Sequence, residues 1–273
     1  MSVPCFCHTQ ASGKKRRIDN AKKATQNRLT QRAEQFTMNN ALIPAVAVRL
    51  VFALAETEVY SKGLDSTDFN SGGEDMPDAF RGMPTMKEHL IHNIVAANNP
   101  KTGELMFFQV YAALFGYEAS VYAFGRLSAL LQAAGRRMAM LLWSMYVDDG
   151  KLVDNETAKW SGQVLVGKLF NLLGTRFKKE KRVWMSKQND FLGIIHDFSE
   201  IAKKKIISFW PRDSLCTKIQ ESLESFEKTR LCYPGDASKF RGMQSFCGLG
   251  IFGQLGKAAV APFTQRQYFD LPC

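Results

Sequence analysis

Residues 138–150 read MAMLLWSMYVDDG, and Lys151-Leu152-Val153 follow directly. An apolar run at 138–147 has the length and composition of a buried strand. Asp148-Asp149-Gly150 then supplies a turn, and 151–153 a short apolar return. The pattern predicts a β-hairpin with Asp-Gly as its turn chemistry. Two adjacent carboxylates at a hairpin tip repel each other, and a cation shared between them removes that penalty. Successive side chains of a regular strand point to opposite faces, so only a turn brings both aspartates to one site. Hard oxygen ligands of this kind suit Mg²⁺, which takes one or two carboxylates together with substrate phosphates. The competing reading is a solvated Asp-Asp-Gly turn that holds nothing.

Working outward, residues 117–136 place Ala119, Tyr122, Ala123, Arg126, Ala129 and Leu130 at helical spacing, and 104–112 have strand composition. Residues 61–74 (SKGLDSTDFNSGGE) read as a loop ending in Gly72-Gly73, and a helix is expected after Pro44 within 41–59. Residues 1–40 are polar and basic. Downstream, Trp160, Val164, Leu165, Leu169 and Leu172 predict an amphipathic helix over 155–173, stopped by Gly174. Strands are expected at 182–186, at 190–196 beyond a polar turn at 187–189, and at 205–210. Helices follow from Pro211 to about 229 and, after a break at Pro234-Gly235, over 236–261. This mixture is of the α+β class.

Hydrophobic residues make up 45% and charged residues 23% of the 273, values of a globular chain with enough residues for a substantial core. No stretch approaches the roughly 20 apolar residues of a membrane-spanning helix. MSVPCFCHTQ lacks a signal pattern, so the expectation is a cytoplasmic or nuclear protein, neither secreted nor membrane-bound. The six cysteines are scattered irregularly and suggest no disulfide framework. Cys5, Cys7 and His8 lack the second ligand pair of a zinc site. The net charge of +10, clustered at 14–17, 22–23, 178–182 and 203–205, favours a polyanionic partner. A solvated basic surface is the plainer alternative.

Tyr146-Val147-Asp148-Asp149 between apolar strands resembles the catalytic hairpin of reverse transcriptases. That family also needs an upstream aspartate at a strand end with an aromatic five positions later, and Asp75 to Phe80 match this. Between the two lies a helix entered through a glycine, matched by Gly116, Ser120 and Phe124. The resemblance implies a right-hand polymerase fold of fingers, palm and thumb, with an antiparallel palm sheet backed by helices. The expected parts are partial fingers at 1–72, a palm at 73–200 and a partial thumb at 201–273.

It implies two Mg²⁺ ions, Mn²⁺ being a possible substitute, held by Asp75, Asp148 and Asp149, with Tyr146 and Val147 supporting the hairpin. Phe80 becomes the ring that excludes a 2′-hydroxyl, and Gly116 and Ser120 border the nucleotide. Lys181, with Lys179 as alternative, lies near the leaving pyrophosphate, and Arg16 or Lys15 near the triphosphate. Phe191-Leu192-Gly193 resembles the family's primer-grip strand. The implied activity is DNA synthesis from dNTPs on an RNA or DNA template with a primer. The alternatives are an inactive nucleic-acid-binding remnant and an RNA-dependent RNA polymerase.

Leu114 departs from the family's proline before Phe-Gly. Two glycine motifs are set aside. Gly248 to Gly253 spells G-x-G-x-x-G without a preceding strand, and Gly162 to Lys168 spells most of a phosphate loop, but Leu169 replaces its Ser or Thr. His89, His92 and His196 show no ligand pattern.

Overall fold

The structure, a computed structural model, describes residues 2–9, 13, 15–31, 39–55, 68–249 and 256–268. In chain order these form β1 (Val3–Thr9), β2 (Lys15–Asp19), a single turn α1 (Gln26–Leu29), α2 (Ile43–Ala55) and β3 (Phe69–Asp75). Next come β4 (Ile94–Asn98), β5 (Leu105–Gln109), α3 (Glu118–Ala139), β6 (Leu142–Tyr146), β7 (Asp149–Asn155) and α4 (Ser161–Leu172). The remainder is β8 (Val183–Ser186), β9 (Gln188–Phe191), β10 (Ile194–Asp197), α5 (Ile201–Lys204), β11 (Ser208–Pro211), α6 (Asp213–Thr229), α7 (Pro234–Leu249) and α8 (Lys257–Arg266).

Three sheets organise the chain. The central one has strand order β6-β7-β3-β8 and is antiparallel throughout. A second, β2-β1-β4-β5, is antiparallel except where β1 runs parallel to β4. The third is the antiparallel meander β11-β10-β9. The fold is α+β with antiparallel sheets.

The central sheet is covered on both faces, which is why 142–146 is apolar without clear alternation; the strand expected over 138–147 is shorter, since Met138 and Ala139 end α3 and Met138 and Met140 are exposed. On one face Trp143, Met145 and Leu152 join Phe124 and Leu131 of α3 and Val166 and Phe170 of α4. Trp143 is fully buried and meets Phe170 edge to face at 5.6 Å. On the other face Phe69 and Val153 pack with Val48 of α2, Phe198 and Ile201. Each large side chain so buried contributes roughly 1.5–3 kcal/mol.

Several expectations need correction. The hairpin turn is Val147-Asp148; Asp149 and Gly150 already belong to β7, where Tyr146 pairs with Asp149. Gly150 serves packing rather than the turn, because a side chain there would collide with the Trp143 ring. The expected loop at 61–74 is wrong for 69–74, which lie in β3 between β7 and β8; 61–67 fall outside the described residues. Gly72 is there because Met185, Gln163 and the Val183 carbonyl press against it, so a glycine pair ends no loop. The single strand expected at 190–196 is two, β9 and β10, reversed at Leu192-Gly193, both with positive φ (51° and 76°).

The helix expected from 155 begins at Ser161, while Gly174 ends it at φ 76° as anticipated. Pro234-Gly235 opens α7 instead of breaking the chain, proline being well suited to a first helical turn. The polar start of the chain contains β1 and β2. Among the described residues the cysteines form no disulfide. Gly162 to Lys168 lie inside α4 as expected, and Gly250 to Gly253 fall outside the described residues. Among the described residues no helix is long and apolar enough to cross a membrane.

Candidate active site

β3 and β7 are neighbours, and their register places Asp75 opposite Asp149. One residue further, the Met76 N–H donates to the Asp148 carbonyl at 3.1 Å. Backbone pairing alone therefore brings residues 75, 148 and 149 together from positions over 70 apart in sequence. The connecting turn is strained, since Val147 holds φ 53°, unusual for a β-branched residue. That conformation reverses the chain in two residues and lets Asp148 and Asp149 face one cavity.

The cavity has a volume of about 940 Å³ and is lined by all three aspartates together with Lys15, Arg16, Arg17, Arg81, Lys178, Lys181, Arg212 and Phe115. Burial raises the pKa of Asp148, and the neighbouring Asp75 adds to this, against the pull of Lys181 and Arg16. Asp149 is pushed up to about 6, first by burial and then by Asp148 and Asp75. Asp75 pairs with Lys181, Oδ2 to Nζ, at 2.6 Å, while its Oδ1 is buried and accepts no hydrogen bond. The three carboxylates face one another and one keeps an orphaned oxygen, a set of hard oxygen donors whose chemistry suits a divalent cation. Among the described residues no group of three or more His, Cys, Asp or Glu side chains stands ready to hold a metal ion. The Lys181 ammonium is the cation that now answers Asp75.

The basic rim is itself anchored. Asp19, its side chain fully buried, receives Arg17 at 3.1 Å and Arg81 at 3.0 Å. Arg212 is held by Asp190 at 2.7 Å, and the Arg16 guanidinium lies 5.3 Å from the centre of the Phe115 ring.

The structure thus gathers Asp75, Asp148, Asp149, Lys181, Arg16 and Lys15 around one cavity. Lys179 is not among its lining residues. Phe80, 8% exposed, stands behind the wall and meets Phe115 edge-on at 5.0 Å and Phe124 at 5.4 Å. Phe115 is the ring on the cavity surface. Ser120 is buried in the first turn of α3 and is not a lining residue. Gly116, at φ 108°, closely approaches the Asp19 carbonyl, where no side chain would fit. Its need for glycine is met by the chain's own backbone. Tyr146 and Val147 frame the hairpin end, and Leu192-Gly193 forms the β9–β10 turn.

Sequence reasoning missed Arg81, Arg212 and Phe115. Arg81 and Phe115 each lie beside a residue singled out for other reasons. Arg212 arrives through the β11–α6 junction, and no local signal marks it.

The fold defined by these sheets and helices is reverse-transcriptase-like. It is similar to the foamy viral protease-reverse transcriptase solved with an RNA/DNA hybrid, with a TM-score of 0.61, 12% identity and coverage of 100% of this chain and 31% of that one. Two further structures of the foamy viral protein agree. One, the form named dRH, is bound to double-stranded DNA (TM-score 0.61, 13% identity, 97% and 39% coverage). The other is also bound to double-stranded DNA (TM-score 0.57, 14% identity, 97% and 47% coverage). The chain spans less than half the length of each. No family model and no curated protein matches the sequence.

Proposed function

We propose that this chain carries out template-directed DNA synthesis by nucleotidyl transfer, with β3, β6 and β7 as the core of a polymerase palm. The observation carrying this reading is the meeting of Asp75, Asp148 and Asp149 at one cavity whose rim is basic. Acid at the centre and base around it suit a triphosphate held by its metal ions on one side and by Lys and Arg on the other. On this reading the stretch before β3 serves as partial fingers and 201–273 as part of a thumb.

Bound by Asp75, Asp148 and Asp149, two Mg²⁺ ions would acidify a primer 3′-hydroxyl and neutralise the charge of the triphosphate. Arg16 and Arg17 of β2, with Arg81 from the turn after β3, fit the triphosphate oxygens, Arg17 and Arg81 fixed in advance by Asp19 and Arg16 resting against the Phe115 ring. Lys181, paired with Asp75 in this structure, would be free to neutralise the departing pyrophosphate once that carboxylate served the cations. Phe115, backed by Phe80, presents a flat apolar wall to the sugar and disfavours a 2′-hydroxyl by its bulk. In phosphoryl transfer most of the catalysis comes from such positioning and neutralisation.

A second reading, binding of template and primer without turnover, is favoured by the closed Lys181–Asp75 pair. Primer extension on an RNA template with dNTPs and Mg²⁺, run beside Asp148→Asn, separates the two. Extension reduced roughly 10³-fold or more in the variant supports the polymerase. No extension by the wild-type chain, with salt-sensitive duplex binding retained, rejects it in favour of the second reading.

A further inference from the structure

β6 is an edge strand of the central sheet, and its outer side has no neighbouring strand among the described residues. Its register with β7 turns the backbone groups of alternate residues, Trp143, Met145 and Val147, toward that open side. Unmatched edge groups ordinarily go to water and leave a strand free to fray. This strand ends in the turn that bears Asp148.

Side chains of α3 take the place of a missing strand. The Ser128 hydroxyl donates to the Val147 carbonyl at 2.5 Å. The Gln132 side-chain oxygen accepts the Met145 N–H at 2.9 Å. Arg136 donates from Nε to the Trp143 carbonyl at 2.7 Å and reaches the Ser144 hydroxyl at 3.3 Å. From ahead of α2, Asn39 donates to the Met145 carbonyl at 2.9 Å and to Gln132 Oε1 at 2.5 Å.

The spacing has a simple origin. Positions 128, 132 and 136 form one stripe of α3, four residues apart. Four helical residues rise about 6 Å, and two strand residues advance about 6.7 Å. Helix and strand therefore stay in step over three rungs, each meeting the next outward-facing strand residue. The rung nearest the turn is also the shortest.

We propose that Ser128, Gln132 and Arg136, with Asn39, are positioning residues that fix the height of the Val147-Asp148 turn and so the distance between the Asp148 and Asp75 carboxylates. What the turn is used for rests on the polymerase reading; that the ladder holds it does not. The rungs line no part of the cavity and act through β6, by its backbone and, for Arg136, also the Ser144 hydroxyl.

The test uses the full chain with Ser128→Ala, Gln132→Met, Gln132→Glu and Arg136→Met. Three readouts are taken: steady-state primer extension, Mn²⁺ binding without substrate from the electron paramagnetic resonance signal of the free ion, and amide exchange over 142–153. Ser128→Ala and Gln132→Met are expected to lower kcat about tenfold while the dNTP KM stays within about twofold. Mn²⁺ binding weakens in parallel, and exchange at Met145 and Asp148 quickens. Gln132→Glu, which keeps an acceptor in place, recovers most of the loss, and Arg136→Met, farthest from the turn, has the smallest effect.

A fall in thermal midpoint for all variants, with kcat, Mn²⁺ binding and exchange within about twofold of wild type, overturns the proposal and leaves mere packing. Should the wild-type chain extend no primer, the polymerase reading fails, and Mn²⁺ binding and exchange still decide the ladder.

Discussion

Two positions on β7 carry buried charge, Asp149 at its start and Lys151 two residues on. The carboxyl of Asp149 is pushed up to about 6 by burial and by its acidic neighbours. The Lys151 ammonium, 1% exposed, is pushed down to about 7 by burial, partly offset by Asp190. Both groups are thus driven toward their neutral forms, and by charge perturbation alone the two would look equally functional. Their surroundings differ. Asp149 opens onto a cavity rimmed by Lys and Arg, whereas Lys151 is packed inside and donates to the Asp190 backbone carbonyl at 3.3 Å. A perturbed titration therefore marks a site only where it meets accessible space and complementary charge.

Substitution at the two positions should separate these cases, and the acidic end gives the largest effect. Asp149→Asn is expected to lower primer extension roughly 10²-fold or more while raising the thermal midpoint in divalent-free buffer, since one desolvated like charge is gone. Equal extension by variant and wild type would place Asp149 with the scaffold. Between the two charges, Gly150→Ala drives a methyl into the Trp143 ring. It should cost about 3 kcal/mol in denaturant unfolding, an overpacking loss at the boundary of site and core.

The interior half of the comparison can be sharpened by pH. His196 is fully buried beside Phe198, with Nε2 2.6 Å from the Ala41 carbonyl. Burial, with Lys151 nearby, lowers its pKa to about 4 from the ordinary 6.5. The folded chain therefore favours the neutral ring, while the unfolded chain takes a proton near pH 6.5. That contribution to stability is complete above pH 6.5 and declines as the pH falls toward 4, by about 3 kcal/mol. Urea unfolding at pH 7 and pH 4.5 measures it, and His196→Phe should flatten this part of the slope. The smallest effect is expected for Lys151→Met, a gain of about 1 kcal/mol at pH 7 from replacing a poorly solvated ammonium with an apolar chain of similar length. A loss there would mean that Lys151 holds something the apolar chain cannot.

Local signals made part of this readable in advance. The strand within the apolar run at 138–147 and the C-terminal part of the helix expected over 155–173 announce themselves through composition, periodicity and a glycine stop, and Asp75 through the resemblance carried by its spacing to Phe80. What escaped depends on partners distant in sequence. Gly72-Gly73 reads as a loop because nothing nearby says that β8 and Gln163 will press on it. The turn was set one residue too late because Gly150 looks like turn chemistry, although Trp143 is its reason. Phe80 and Phe115 are both aromatic, and only the packing of α3 decides which ring faces the cavity. The acidic half of the site was thus legible from motifs. Arg81 and Arg212 in its basic half were not, because they reach the cavity only through tertiary packing.

In the second sheet, β5 has the opposite character to the sealed edge of β6. Leu105, Met106, Phe107 and Phe108 are all exposed, and no described strand pairs with its far side. In colloidal terms it is a sticky end, a flat apolar strand with hydrogen-bonding groups to spare and no lysine or proline within it to discourage pairing. Concentrated samples are therefore expected to scatter light through edge-to-edge association well below the temperature at which the core melts.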